Sequence, residues 1–493
     1  MIKSQFGLVK ILTVLTFSIS ALHAQNDADI FKYSKTYHGG SARFEAMGGA
    51  FGALGADISA VQINPAAMGR FSSSQFSLSM SPLVASSSAD FTETNTKALK
   101  SNFVIPSIGL VFTKDLSTKN KGDMYSQFSI GMNRIANFNH RTVIEGQQFP
   151  SLLDNFMGQA NGYYPEELAT YFPFTTSVAY EAYAIDYDPD NISYYSGLSL
   201  TDDLNMRREV INKGGINEFY LSYSRNRMNK LYYGASLNIR SYNSEEKYIH
   251  SEDLKVVDSI FVGFDYTYSL KTSGTGANIK LGAIYLVTDG FRLGFSFHSP
   301  TIISLHDKWT ADMTSRFIYG KVSLGQDLIP TGEYKYRMTT PLKAIFSTSY
   351  VIGMSAVISG DLEYIGYQMG KLKSTRDITY DAYDFKLENE EAKLRLTNAI
   401  NFRLGAEFNI QQALFLRAGF SYYGNAYKKT EDVDPIPDLG YSAGIGYKKD
   451  RFSIDLAYVN RQLARKYYPF AGSEIATTRT TLNSIVVTGT IRF

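Results

Sequence analysis

The feature that most limits the fold of this chain is an alternation of apolar and polar side chains that recurs along its length. In the last segment, NSIVVTGTIRF (483–493), Ile485, Val487, Ile491 and Phe493 share one face and polar residues share the other, with Val486 as the exception. A period of two residues predicts β-strands with one apolar face. The same alternation occurs at Phe76/Leu78/Met80, Phe128/Ile130/Met132, Tyr233/Ala235/Leu237/Ile239, Phe291/Leu293/Phe295/Phe297, Tyr441/Ala443/Ile445/Tyr447 and Phe452/Ile454/Leu456/Tyr458.

The spacing of such segments predicts about fourteen strands. They lie at 74–83, 103–113, 125–141, 216–225, 231–243, 264–287, 290–299, 333–350, 353–368, 393–409, 412–424, 439–449, 451–464 and 480–493. The segment 264–287 also fits two strands broken near Gly274. An even number of strands places both chain ends on one side of the sheet.

The predicted connections alternate between short turns and long loops. The long ones are 84–102, 142–215, 244–263, 300–332, 369–392, 425–438 and 465–479. Short periplasmic turns opposite long external loops are typical of outer-membrane barrels, whereas a soluble sandwich has no reason to sort its loops in this way. We therefore predict an all-β fold, a transmembrane outer-membrane β-barrel of about 14 antiparallel strands.

Composition and the amino terminus agree with export to that membrane. The 493 residues include 36 Tyr and 32 Phe but one Trp, which is typical of a barrel with aromatic girdles. Lys3 and Lys10 precede or flank the apolar stretch ILTVLTFSIS (11–20), and Ala24 provides a small residue before a cleavage site. Residues 1–24 are therefore predicted to be a signal peptide, because the apolar stretch is too short to span a membrane.

Charge and residue usage exclude several function classes. Removing Lys3 and Lys10 leaves 47 Lys and Arg against 47 Asp and Glu, so no net charge favours nucleic acid. The chain has no cysteine, and its six histidines lack the spacing of a zinc helix. We expect no catalytic residues, no metal, no cofactor and no enzyme activity.

A small-residue stretch, MGGAFGALGADISAVQINPAAMGR (47–70), precedes the first predicted strand. Its Gly and Ala residues would let helical turns pack closely inside a lumen, and Asn64 can cap a helix that starts at Pro65. We predict a helical plug, or hatch, inside the barrel at 25–72, with Gly48 and Gly49 among its closely packed residues. The alternative is that Asn64-Pro65-Ala66 only starts a helix.

The longest predicted loop, 142–215, contains apolar residues at helical spacing. Leu152, Leu153, Phe156 and Met157 share one face, and a second helix behind Pro165 is predicted to carry Leu168, Tyr171, Phe172 and Phe174. Leu152, Phe156, Met157, Phe172 and Phe174 are candidate contacts for a hydrophobic ligand. The alternative is that the two helices pack on each other and cap the barrel.

Several segments resemble those of the FadL/TodX family of outer-membrane transport proteins for long-chain fatty acids and other hydrophobic compounds. SARFEAMGGAFGALGADISAVQINPAAMG is similar to the family's amino-terminal hatch, LGAIYLVTDGFRLGFSFHSP to its mid-barrel hairpin, and FRLGAEFNIQQALFLRAGFSYYG and IPDLGYSAGIGYKKDRFSIDLAYVNRQ to its late strands. The resemblance implies a fourteen-stranded barrel at 73–493 around a hatch whose motif is Asn64, Pro65 and Ala66.

In function, the resemblance implies uptake of hydrophobic small molecules or fatty acids by a monomer in the outer membrane of a Gram-negative cell. External loops would capture the ligand, and a hatch movement would pass it on. A component of secretion machinery, or a surface shuttle that binds protein partners, is the alternative.

Overall fold

The computed structural model describes residues 27–117, 122–148, 150–198, 204–255, 260–375, 383–411, 413–429 and 436–493. The predicted signal peptide lies outside the described residues. No helix within these ranges is long and apolar enough to cross a membrane.

Most of the described chain forms strands. In chain order they are β1 (Gln75–Phe91), β2 (Thr94–Asp115), β3 (Asp123–Asn137), β4 (His140–Gln148), β5 (Asp186–Asp188), β6 (Ser193–Tyr195), β7 (Leu204–Arg227), β8 (Leu231–Leu254), β9 (Phe261–Leu286), β10 (Phe291–His298), β11 (Ile302–Phe317), β12 (Gly320–Ser323), β13 (Thr331–Thr339), β14 (Lys343–Ile352), β15 (Ala356–Gly366), β16 (Lys371–Ser374), β17 (Asn398–Ile410), β18 (Leu414–Tyr423), β19 (Asp438–Lys449), β20 (Phe452–Tyr467) and β21 (Ala476–Arg492).

The helices lie before the first strand and in two of the loops. They are α1 (Asp27–Ser34), α2 (Ala42–Ala46), α3 (Leu152–Ala160), α4 (Pro165–Tyr171), α5 (Thr176–Glu181) and α6 (Lys386–Arg395), with 3₁₀ turns at Ile58–Gln62, Pro65–Arg70, Gln326–Leu328 and Tyr367–Met369.

Fourteen of the strands close into one antiparallel ring, which confirms the predicted fold class. The order around the ring is β1, β2, β3, β7, β8, β9, β10, β14, β15, β17, β18, β19, β20, β21, and β21 pairs with β1 from Gln75↔Arg492 to Asp90↔Thr477. The segment around Gly274 lies inside β9, so the reading as two strands was wrong.

Five further strands among the described residues belong to the same sheet on the loop side. After short interruptions, β4 follows β3, β11 follows β10 and β16 follows β15, while β13 precedes β14 and β12 forms a hairpin with β11. Two interruptions contain Pro300 and Pro341, which cannot donate a ladder hydrogen bond. β11 pairs with β9 and β13, and β13 pairs with β16, so this part of the barrel continues well beyond the apolar band.

The strand faces follow the alternation in the sequence. On β20, Leu456 is 44% exposed on the outer face, whereas the neighbouring Asp455 is buried in the lumen. The exception, Val486, faces inward and packs against Ala42 and Ala46 of α2 and against Ala457. Its apolar side chain therefore contacts the segment inside the barrel.

The connections are sorted between the two rims, with one difference from prediction. Turns at 228–230, 287–290, 353–355 and 450–451 lie on one rim, and the longer loops lie on the other. The predicted loop 84–102 is instead a tight hairpin at Thr92 and Glu93, because β1 and β2 continue to that point. The connection predicted at 142–215 spans 149–203, since β4 and β7 occupy both of its ends.

Candidate functional site

The described part of the predicted hatch, residues 27–72, lies in the lumen. α1 packs through Ile30 and Tyr33 against residues of β11 and β13, near the loop rim. From there the chain passes down the lumen to the short-turn rim, where β1 begins. Phe44, Phe51 and Ile58 form an apolar cluster with the wall residues Val111, Tyr220, Tyr232, Ile284 and Ile345.

Side-chain caps explain why this segment forms short helices. The Phe44 backbone N–H donates to Ser41 Oγ at the start of α2 (3.1 Å), and Ser59 N–H donates to Asp57 Oδ1 at the first 3₁₀ turn (2.9 Å). Ala66 N–H donates to Asn64 Oδ1 at the second turn (3.0 Å). Each cap satisfies a backbone donor that has no partner inside its own turn.

Asn64-Pro65-Ala66 also forms hydrogen bonds with another part of the hatch and with the wall. Asn64 Nδ2 donates to the carbonyl oxygens of Gly52 (2.7 Å) and of Ala283 on β9 (3.2 Å). Ser224 Oγ on β7 donates to the Pro65 carbonyl oxygen (2.7 Å), and Ala66 is fully buried. The motif therefore does more than start a helix.

Gly48 lies at a close approach of hatch and wall, and Gly49 follows it beside the Phe44 ring. Both have positive φ, +62° and +78°. A Cβ on Gly48 would lie 2.8 Å from the Phe420 carbonyl oxygen on β18, and a Cβ on the facing Gly419 would lie 2.1 Å from the Gly48 nitrogen.

The wall contributes further glycines to this contact, which the sequence reasoning missed. A Cβ on Gly282 would lie 1.8 Å from Asn64 Oδ1, one on Gly294 2.6 Å from the Gly52 oxygen, and one on Gly405 2.5 Å from the Met47 oxygen. Glycine inside a strand often marks the close approach of another backbone, and this signal was present in the sequence.

Ion pairs also join the hatch to the wall, one of them buried and one partly exposed. Lys35 Nζ lies 2.5 Å from Asp438 Oδ2, and Arg43 Nε lies 2.8 Å from Glu407 Oε2. Burial lowers the pKa of Lys35 to about 8 and that of His38 to about 4, although Asp438 partly offsets the effect at Lys35. His38 is therefore neutral near pH 7.

The candidate ligand contacts in the external loop lie in one apolar cluster. Leu152 and Phe156 of α3 are buried in it, and Met157, Phe172 and Phe174 pack at its edge. Wall residues Leu254, Phe264, Tyr266 and Met313 complete the cluster on the barrel side.

α3 is fixed to the wall by a polar contact at its start. Leu152 N–H donates to Glu252 Oε1 on β8 (2.9 Å), which also lies 2.8 Å from His250 Nε2. The prediction of one second helix was wrong in detail. α4 ends at the exposed Tyr171, and Phe172 and Phe174 lie in the connection to α5 because no helical turn continues past Phe172.

The wall ladder is interrupted beside the hatch. β2 pairs with β3 only from Ser107↔Asn133 to Asp115↔Tyr125. The remaining part of β2, Thr94–Pro106, therefore has no ladder partner among the described strands on the edge that faces away from β1. β4 lies instead against the inside of β1, where Ile144 packs on Ala89 and Phe91. A cavity of about 50 Å³ behind the interruption is lined by Tyr37, Gly39 and Glu45 of the hatch and by wall residues that include Val104, Pro106, Ile135 and Ala136.

Within the described ranges, no group of three or more His, Asp or Glu side chains could hold a metal ion. The polar lumen is organised as paired charges: Arg417 bridges Glu407 (2.6 Å) and Asp455 (2.7 Å), and Arg403 donates to Glu363 (2.7 Å).

Comparisons with known proteins agree with this geometry. Residues 234–481, about half of the chain, match the family model described as outer membrane protein transport protein (OMPP1/FadL/TodX). The crystal structure of a Pseudomonas aeruginosa FadL homologue is similar at 13% identity and a TM-score of 0.56, covering 93% of this chain and 100% of that one.

The P. putida toluene transporter TodX is similar at 14% identity and a TM-score of 0.51, covering 93% of this chain and 99% of that one. At such identities these two likenesses concern the fold alone. No curated protein matches the sequence. By its family model and its closed barrel, this chain belongs to the FadL/TodX family of outer-membrane transport proteins.

Proposed function

We propose that this protein takes up hydrophobic compounds, such as long-chain fatty acids, across the outer membrane as a monomer. Residues 1–24 would direct export, 25–72 would form the movable hatch and 73–493 the channel wall. The interrupted ladder between β2 and β3 carries the proposal, because it lies beside the hatch and would give an apolar molecule a way out of the lumen.

Capture would take place at the external apolar cluster. Leu152, Phe156, Met157, Phe172 and Phe174 would contact the ligand, which gains on the order of 25 cal/mol for each Å² of apolar surface it removes from water. Met157, Phe172 and Phe174 lie at the edge of the cluster and are only partly buried, so a ligand can reach them before α3 or α4 moves. Met is well suited to such a contact because its side chain adapts to different shapes.

Passage would require the hatch to shift. Gly48 approaches the wall without a side chain in the way, and Gly49 continues the hatch backbone at positive φ. Asn64, Pro65 and Ala66 hold the lower hatch through hydrogen bonds that can break singly. A shift near the 50 Å³ cavity would join the lumen to the gap beside Val104 and Pro106. The ligand would then leave through the wall.

A disulfide between hatch and wall tests this route. Ser59 Oγ of the hatch lies 3.3 Å from Ser107 Oγ, at the end of the β2–β3 ladder. Cysteines at these two positions would bring their sulfurs near bonding distance, and the chain has no other cysteine. The matched control joins wall to wall: Ser87 Oγ lies 2.9 Å from Thr480 Oγ1, away from the hatch.

Uptake of labelled fatty acid and of labelled toluene is measured in cells that carry each variant. We expect S59C/S107C to lose uptake when oxidised and to regain it on reduction, while S87C/T480C transports in both states. Equal uptake by both oxidised variants would contradict passage by a hatch movement. If wild-type cells take up neither compound, the transport proposal itself fails and a partner-binding role replaces it.

A further inference from the structure

On the loop side, the outer surface of the barrel changes from apolar to polar between two neighbouring rows of residues. The last apolar row across neighbouring strands contains Phe219, Ile239, Ala277 and Ile302, which are aligned by the strand register. Two residues further outward, the aligned row is Asn217, Ser241, Thr275, Ser304, Arg337 and Lys373. Because long loops mark the external rim, this polar row lies at the headgroup level of the outer leaflet.

Cations concentrate on this part of the surface. Lys271, Lys308, Lys335, Lys371 and Lys373 are exposed, and Arg337 is partly exposed beside them. Glu333 lies 3.5 Å from Lys308 and 3.2 Å from His306, but no described carboxylate pairs with Arg337, Lys335, Lys371 or Lys373. We refer to Lys335, Arg337, Lys371 and Lys373 as the basic belt.

The register places two of these charges directly opposite each other. Arg337 on β13 is the ladder partner of Lys373 on β16. Side chains of directly opposite residues lie on one face about 5 Å apart at Cβ, and like charges in this arrangement destabilise a sheet. An anion bound between the two side chains would remove the repulsion.

The surface beside the belt forms a groove suited to a polar headgroup. Its volume is about 590 Å³, and its lining includes Lys335 and Arg337. Hydroxyl, amide and imidazole groups line the rest of its outward surface, from Ser241, Asn243, Ser273, Thr275, Ser304, His306 and Thr375. Such groups hydrogen-bond to sugar and phosphate oxygens, and charge-assisted bonds from Arg and Lys to phosphate are the strongest of them.

We propose that the basic belt binds the phosphate groups of an anionic glycolipid in the outer leaflet, with the sugars of the headgroup in the groove. The acyl chains would lie on the apolar row that contains Ile239 and Ile302. This site is on the outside of the barrel, so it is independent of the transport path and holds whether or not the proposed ligand route is correct.

The test measures binding of bisphosphorylated lipid A to the purified, detergent-solubilised protein by native mass spectrometry and by titration. The variant is R337Q/K373Q. The matched control is K449Q/R451Q, which removes one Lys and one Arg that are exposed at the opposite rim. A closed barrel resists unfolding by detergent until it is heated, so heated and unheated samples migrate differently on a gel. This band shift verifies that each variant is a closed barrel.

We expect R337Q/K373Q to bind lipid A at least tenfold more weakly than the wild type and the control. Dephosphorylated lipid A should bind all three proteins equally weakly, and added salt should weaken wild-type binding. Equal affinity of the variant and the control would overturn the proposal. Equal affinity of the wild type for phosphorylated and dephosphorylated lipid A would also overturn it. Displacement of the lipid by millimolar inorganic phosphate would overturn it as well, because it would identify a site for free phosphate.

Discussion

Adding one methyl group at Gly419 should loosen the hatch while leaving the barrel intact. The new Cβ would lie 2.1 Å from the Gly48 nitrogen and 2.4 Å from the Met47 carbonyl carbon. Both atoms are backbone, so no flexible side chain can move aside. Since ordinary contact begins near 3.4 Å, the hatch or the wall must shift by about 1.3 Å.

Overpacking of this kind costs about 1–3 kcal/mol. If the cost falls on the seated hatch, the population of displaced hatch rises about 5- to 150-fold. The matched control is Gly489→Ala, because a Cβ on Gly489 meets nothing within 4 Å. Ion conductance in planar bilayers reports the displaced hatch, and the band shift on heating reports the barrel.

In planar bilayers, we expect the Gly419→Ala channel to open more often than the wild type, and its band shift on heating to be unchanged. Gly489→Ala should behave as the wild type in both assays. If the two variants conduct equally, the contact between Gly48 and Gly419 does not hold the hatch. Loss of the band shift in Gly419→Ala would show that this glycine serves strand closure instead.

Two further predictions concern the lipid face and pH. Leu456→Arg should reduce the yield of heat-modifiable barrel, because a charge near the middle of the apolar band costs about 2–4 kcal/mol. The control Ser453→Arg should assemble, since Ser453 faces a lumenal chamber of about 380 Å³. Equal losses in the two variants would mean that the two faces are misassigned. Burial raises the pKa of Glu45 to about 6, so the seated hatch favours the protonated form, and this contribution is present below the ordinary pKa and is lost as pH rises through about 6. Between pH 5 and pH 7, wild-type conductance should therefore rise relative to that of Glu45→Gln, and parallel pH profiles of the two proteins would refute the assignment.

The number and position of the barrel strands could be predicted because the lipid contact leaves a local pattern. Along β20, each outward residue from Phe452 to Tyr458 is apolar, whatever the rest of the chain does. Strand ends were harder to predict, because β1 and β2 continue beyond the apolar band. There the run Ser86-Ser87-Ser88 has no alternation, and the strands are held by their ladder as far as the pair Phe91↔Thr94.

The contacts between hatch and wall could not be predicted in the same way. Gly419 is far from Gly48 in the sequence, and a glycine has no side chain that marks its partner. The same holds for the ion pair of Lys35 with Asp438, which are 403 residues apart. The helix periodicity of the external loop did locate α3, because Leu152 and Phe156 repeat at the spacing of a buried face.

The course of the hatch through the lumen has a consequence for the order of folding. Ala42 N–H donates to Thr488 Oγ1 on the last strand, 446 residues away, and other hatch residues are hydrogen-bonded to β7, β9 and β19. These contacts have a very high sequence separation, which slows folding since long loops must close before any contact forms. The contact of Ala42 with Thr488 cannot form until β21 is in place, so the first part of the described chain is among the last to become fully ordered.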